Sequence, residues 1–336
     1  MHLEKIIELC GQHTLSVELL ARTAQNAAMP LKDLYAVLET KGFDLNAVIG
    51  DKVHTFWHNE QDRKLFFDHL LTLFDLSNVT GEERHILVNL AVLPAIYIAV
   101  SDISDWLGLE SKEAITSLVR KGWLKKSGFT IFMHQVIQEV TRYRYTPGVE
   151  KCKALITSLA NRLSLEPGEN PMDKKEYVIF ADTLLKHIDD QDEELARLSN
   201  NLSTIYNALG QLEQALEFQK KALKIREAVL AKNHPSLATS YNNLSTIYKA
   251  LGQLEQALEF QLKDVKISEE ILSKNHPSLA TSYNNLSTIY YTLQDYKKAI
   301  QYGQQAVAIL QNLFPNGHPN LDTAKKNLEL IKKEMK

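Results

Sequence analysis

The hexapeptide Asn-Leu-Ser-Thr-Ile-Tyr occurs unchanged at Asn201–Tyr206, Asn243–Tyr248 and Asn285–Tyr290, each copy beginning 42 residues after the last. A fixed period of this length marks stacked supersecondary units, none of which can bury its apolar face alone. Helical solenoids built this way present an extended concave surface. Residues 193–336 are therefore expected to form a helical array whose first property is recognition. Each unit divides into a helix A (Glu193–Leu209, Pro235–Leu251, Pro277–Leu293) and a helix B (Gln211–Lys232, Gln253–Lys274, Tyr296–Phe314). Gly210, Gly252 and the pairs His234-Pro235, His276-Pro277 and His318-Pro319 punctuate them, each proline standing where a helix begins and its missing N–H costs nothing. A last helix, Asn320–Lys336, carries the charged face of a solvent-facing cap.

A chain of 336 residues exceeds what a single hydrophobic core serves, so further domains are expected. Residues 1–60 read as a helical subdomain, with Ile6, Ile7, Cys10, Leu15, Leu19, Leu20, Leu31, Leu34 and Leu38 at helical spacing. Residues 61–145 read as a winged-helix domain. A bridging helix, Gln61–Phe74, carries the stripe Phe66, Phe67, Leu70, Leu71 and Phe74. Three short helices follow, Glu82–Ala91, Ser101–Trp106 and Ser111–Lys121, the last with Ser111 as its capping residue. Two alternating runs joined at Ser127-Gly128 then predict a β-hairpin. Residues 146–192 form a helical connector with helices Lys151–Leu163 and Asp173–Ile188. The expected fold class is mainly all-α: a helical subdomain, a winged helix with a small β-hairpin, then an α-solenoid.

Charge and motif narrow the function. With 38 Lys and Arg against 41 Asp and Glu, nothing global suggests a nucleic-acid binder. Lys112, Arg120, Lys121, Lys125 and Lys126 gather near the third helix and the wing, but Asp105, Glu110 and Glu113 dilute the basic excess that phosphate tracking needs. The two cysteines, Cys10 and Cys152, build no disulfide framework and fit the reducing cytoplasm. The amphipathic N-terminus is no secretory signal, and the apolar stretch Ile86–Val100 is broken by Pro94 and too short to span a bilayer, so no membrane is expected. His54 and His58 lie four apart, but no third metal ligand is placed by spacing and a structural role is favoured. The phosphate-cradling loop Gly-x-x-x-x-Gly-Lys-Ser/Thr is missing. No nucleophile, base or paired-carboxylate arrangement stands out either, so the chain is not expected to be an enzyme.

The helix A stack carries the pairs Asn200/Asn201, Asn242/Asn243 and Asn284/Asn285, with Thr204, Thr246 and Thr288 beside them. Amides donate and accept, so such a ladder can hold the backbone of an extended peptide. The other reading is that duplicated repeats share Asn for bonds between helices. The next position on this face varies, Asn207, Lys249 and Tyr291, which is where specificity would lie. In helix B, Ala222 and Ala306 hold the small packing position, and Asp264 replaces them in the second repeat. That change either loosens the packing or marks a functional polar site.

Tyr241, Leu244, Ser245, Tyr248 and Ala257 match the aromatic, leucine, small, tyrosine and alanine positions of tetratricopeptide repeats, and residues 193–336 resemble the 42-residue kind found in kinesin light chains. Residues 1–145 resemble the back half of the NB-ARC module of STAND-type signalling ATPases. Leu9–Ala21 is similar to the segment written GLPLA, with Thr14 in the proline position followed by Leu15, and Phe132-Met133-His134-Gln135 is similar to the MHD motif, with Gln135 in place of Asp. The resemblance implies that His134 reaches the β-phosphate of ADP, with Met133, Thr14 and Leu15 also sensing nucleotide. It implies no cofactor in this chain alone, and ADP or ATP with Mg in a full-length ATPase whose nucleotide-binding and effector domains lie upstream. A protein or peptide trigger would occupy the groove and activation would bring oligomerisation, as in bacterial antiviral defence. The alternatives are a stand-alone repeat scaffold and an NB-ARC transcription regulator with its DNA-binding part upstream.

Overall fold

The computed structural model describes residues 3–5, 30, 32, 35, 79–166 and 168–335. The rest of the N-terminal helical subdomain, the 61–74 stripe, Thr14, Leu15, His54 and His58 lie outside the described residues. The chain divides into two compact units, Met1–Leu155 and Ile156–Lys336. Among the described residues no helix is long and apolar enough to cross a membrane.

In the first unit, helix α1 (Gly81–Leu90) opens with a full capping box: Glu83 N–H donates to Thr80 Oγ1 at 3.2 Å, and Thr80 N–H donates to Glu83 Oε2 at 2.8 Å. Two of the helix's orphan donors are satisfied reciprocally. Strand β1 (Ile98–Ala99), helices α2 (Val100–Leu107) and α3 (Glu113–Lys121), and the hairpin strands β2 (Lys125–Ser127) and β3 (Thr130–Phe132) follow. The three helices and the hairpin expected here are present. Two elements add to them. Ile98 and Ala99 pair antiparallel with Ile131 and Thr130, giving a three-stranded sheet in the order β1-β3-β2. Helix α4 (Gln135–Tyr145) then runs on from the hairpin.

Helix α4 supplies what the end of α1 lacks. Gln138 Nε2 donates to the carbonyls of Leu90 and Leu93, both at 3.0 Å, and Arg142 donates to the carbonyl of Ala91. Of these, Leu90 O otherwise accepts only a 3.3 Å bond from Leu93 N–H, at a helix end whose last carbonyls lack intrahelical donors. Ile86, Leu87, Trp106, Leu118, Ile131, Ile137 and Val140 are buried in this unit. One expectation is corrected: α3 begins at Glu113, not Ser111, and Lys112 stands at its N-cap without a side-chain bond. Ser111 Oγ instead accepts from Glu113 N–H two residues on, at 3.2 Å, because no Glu or Gln stands at the position a capping box requires.

Helix α5 (Val149–Arg162) crosses the division between the units. In the second unit a short 3-10 turn (Pro171–Lys174) leads into α6 (Lys175–His187). The repeats follow as α7 (Glu193–Ala208) with α8 (Leu212–Val229), α9 (Pro235–Ala250) with α10 (Leu254–Ile271), and α11 (Pro277–Thr292) with α12 (Tyr296–Leu313). Helices α8 and α10 stop three residues short of the expected ends. Leu230 and Leu272 turn extended, and the next histidine closes a turn, His234 N–H to Ala231 O and His276 N–H to Ser273 O, both 2.9 Å.

The recurring hexapeptide now has a role at nearly every position. Its Leu and Ile are buried in all three copies. Its Ser ties helix A to helix B: Ser203, Ser245 and Ser287 donate to the carbonyls of Ala215, Ala257 and Ala299 at 2.6 to 2.7 Å. Its Tyr stacks on the ring twelve residues on, Tyr206 on Phe218, Tyr248 on Phe260 and Tyr290 on Tyr302, with interplanar angles of 9°, 3° and 4°. Helix α13 (Pro319–Glu334) follows the same register as a fourth helix A, with Leu321, Leu328 and Ile331 buried. Where α11 turns Tyr283, Ser287 and Tyr290 toward α12, α13 has Lys325, Glu329 and Lys332, all exposed.

Candidate functional site

The asparagine pairs run through the stack of A helices. Asn243 Nδ2 donates to Asn200 Oδ1 at 3.1 Å, Asn285 to Asn242 at 2.9 Å and Asn327 to Asn284 at 3.3 Å, each across 43 residues. Asn201 donates to the carbonyl of Ala160 at 2.9 Å. The second Asn of each pair is thus spent as a donor on an earlier helix, α5 for Asn201 and the preceding helix A for Asn243 and Asn285, the interhelical use that duplication also suggested. The first Asn gives its oxygen to that bond. Asn200 Oδ1 further accepts from Gln219 Nε2 at 3.2 Å and Arg226 at 3.4 Å.

Thr204 and Thr246 donate to the carbonyls of Asn200 and Asn242, both at 3.0 Å, and Thr288 to that of Asn285 at 2.8 Å. Such back-bonding leaves each hydroxyl an acceptor. Lys249 uses one, its Nζ reaching Thr288 Oγ1 at 2.7 Å. Burial holds the Lys249 ammonium below its ordinary pKa, and this partner carries no charge. Tyr291 lies half-buried with its ring 6.0 Å from that of Tyr296, and Asn207 is half-buried near the end of α7.

Two charged residues lie behind this face. Arg226 of α8 is 5% exposed; its Nε meets Glu193 Oε1 at 3.1 Å, and it donates to Ser240 Oγ at 2.8 Å and Ser236 O at 3.2 Å on α9. The sequence reading missed it, although the 42-residue column Arg226, Ser268, Leu310 is conspicuously uneven. Asp264 of α10 is equally buried.

In the first unit Met133 is buried and His134 caps α4, its Nδ1 accepting from Val136 N–H at 3.2 Å. The His134 ring meets Phe132 edge-on at 6.2 Å, and Phe132 meets Tyr97 at 5.2 Å. The same cap recurs in the array: Nδ1 of His234, His276 and His318 accepts from Ser236, Ser278 and Asn320 N–H, each at 3.1 Å. The His-Pro pairs are therefore helix caps as well as punctuation.

The second unit is an α-solenoid of paired helices. Residues 194–263 and 251–312 match the tetratricopeptide repeat family, and this part of the chain consists of such repeats. No curated protein matches the sequence significantly. Similar solved structures include a kinesin-light-chain protein from Podosopora anserina with nearly identical TPR-like repeats, 23% identical over 53% of this chain and 84% of that one, TM-score 0.44. BtubC (BKLC) from P. vanneervenii is 21% identical over 76% and 84%, TM-score 0.41. A Signal Transduction ATPase with Numerous Domains from Pyrococcus horikoshii, which has a tetratricopeptide repeat sensor, is 16% identical over 95% of this chain and 57% of that one, TM-score 0.38.

Proposed function

We propose that the repeat array is the sensor of a STAND-type switch: a protein or peptide trigger lies along the helix A face, and the helices and hairpin of the first unit, read as a winged helix, pass its binding on. The observation that carries the reading is the set of groups the array leaves unspent. Asn242 and Asn284 use their oxygens between helices, while their Nδ2 groups have no partner among the described residues. Lys249, two turns further along α9, has only a neutral hydroxyl for company. Two amide donors and a desolvated ammonium suit a ligand that offers backbone carbonyls and a carboxylate. A peptide array probed with the protein tests this: binders should be lost on Lys249→Met and weakened on Asn242→Ala. Binding indifferent to both changes would remove the groove from the argument.

His134 supports the switch. It follows the hairpin directly and stands at the N-terminus of an eleven-residue helix, where the helix dipole favours an anion such as phosphate. In a full-length protein with an upstream nucleotide-binding domain, His134 would face the ADP phosphates in the off state. The trigger's differential affinity for the open state must supply the shift. The capping bond from Val136 favours a second reading, a repeat scaffold in which His134 only holds a helix. His134→Ala in the native protein separates them: output without trigger supports the switch, and unchanged output supports the scaffold.

A further inference from the structure

Asp264 stands where the neighbouring repeats have Ala222 and Ala306, and all three side chains are buried, at 3%, 0% and 0% exposure. A carboxyl group occupies a slot that fits a methyl. Gln261 Nε2 donates to its Oδ2 at 2.7 Å and Ser268 Oγ to its Oδ1 at 3.1 Å, and the hydroxyl of Ser282 on α11, which donates to the Ser278 carbonyl at 3.1 Å, stands against it. Gln261 Nε2 also reaches the carbonyl of Ser282 at 3.3 Å, while Gln261 Oε1 is buried with no partner.

No charge compensates this carboxyl. Helix α11 contains no Asp, Glu, Lys, Arg or His; its Tyr283 donates to Glu269, its Tyr290 stacks on Tyr302 and its Tyr291 lies against Tyr296. On α9, Lys249 bonds Thr288, Tyr241 donates to Glu227 and Tyr248 stacks on Phe260. On α10 itself Glu255, Glu259, Lys263, Lys266, Glu269 and Glu270 are exposed. Burial is the dominant influence on Asp264, opposed only by neutral hydrogen bonds from Ser282, Ser268 and Gln261.

Burial without a counter-charge favours the neutral acid. A carboxamide serves both states, because a half-turn exchanges its donor for its acceptor. The orphaned Gln261 Oε1 can then take the carboxylic O–H. We propose that Asp264 and Gln261 form a proton-responsive joint between the second and third repeats, tight when Asp264 is neutral and loosened when it ionises. The bonds from Asn285 to Asn242 and from Lys249 to Thr288 bridge the same two repeats on the groove side, so the joint bears directly on the candidate groove.

The sign follows from the direction of the shift. Burial raises the Asp264 pKa from 3.8 to about 6. The native state therefore holds the proton more tightly than the open one, and the stabilisation is complete below 3.8 and is lost as pH rises through about 6. The test is amide hydrogen exchange of α11 in the whole chain at pH 5 and pH 7.5, corrected for intrinsic rates, in wild type, Asp264→Asn and Asp264→Ala. Protection relative to either variant should fall about tenfold between the two pH values, following the linkage of a two-unit shift. A ratio that does not change with pH overturns the proposal. Should both variants fail to fold, the Asp264 carboxyl carbon titration in wild type decides: a midpoint near 6 supports the joint, and one near 3.8 overturns it.

Discussion

Asn285 donates its amide N–H to the amide oxygen of Asn242, 43 residues earlier, at 2.9 Å. The bond spans two neighbouring repeats, and in a solenoid such nearest-neighbour terms, added to the repeats' own stabilities, make up the total. Asn242→Ala and Asn285→Ala should each cost about 1 kcal/mol in urea unfolding, and the double variant clearly less than the sum, with a coupling of about 0.5 kcal/mol or more. Strict additivity would show that the pair does not stabilise the array.

The turn between helix A and helix B needs a left-handed residue. Gly210 and Gly252 supply it with φ of 76° and 74°, but in the third repeat the position falls to Gln294, at φ 64°. A side chain there costs roughly 1 kcal/mol, which glycine avoids. Gln294→Gly should therefore raise stability by about that amount, seen as a higher urea midpoint with unchanged slope. A lower midpoint would mean that the Gln294 side chain contributes more than its backbone strain costs.

Much of the array was legible because one residue type does one job at a fixed interval: the Ser of the hexapeptide always meets an Ala carbonyl, and the Tyr always stacks twelve residues on. The capping box at Thr80 and Glu83 is equally open to reading, since Thr-Gly-Glu-Glu fits the pattern, whereas Ser111 has Ala114 where the acidic partner would stand. Other features were hidden for a physical reason. Strand β1 has two residues and gains its identity only from pairing with β3. Whether an Asn faces a ligand or a neighbouring Asn depends on how adjacent repeats are set, which a single repeat's sequence does not contain. The capping role of His134 depends on α4, a helix that the expected three helices and hairpin do not include.

Removing the His134 ring removes the acceptor for Val136 N–H at the start of α4. His134→Ala should cost about 1 kcal/mol, while His134→Asn, a strong capping residue, should restore most of it. Urea unfolding followed by a probe confined to the first unit reads both. Equal loss in the two variants would show that the imidazole acts through contacts other than the cap.

Glu83 is 1% exposed, and Lys121 Nζ lies 2.8 and 2.7 Å from its two oxygens. Burial alone would raise its pKa, but hydrogen bonds from Lys121, Ser117 and the Thr80 N–H outweigh it and hold the carboxyl below its ordinary value. A depressed folded pKa gives stability that is present above the unfolded value of 4.5 and lost as pH falls through the folded one. Glu83→Gln should therefore be less stable than wild type at pH 7, with the gap closing on acidification below about pH 4.5. Lys121→Met should be worse than Glu83→Gln at pH 7, because it leaves the buried carboxylate without its cation. It should recover toward wild type as Glu83 protonates. A Glu83→Gln deficit constant from pH 7 to pH 3 would assign the loss to the cap geometry alone and not to the ion pair.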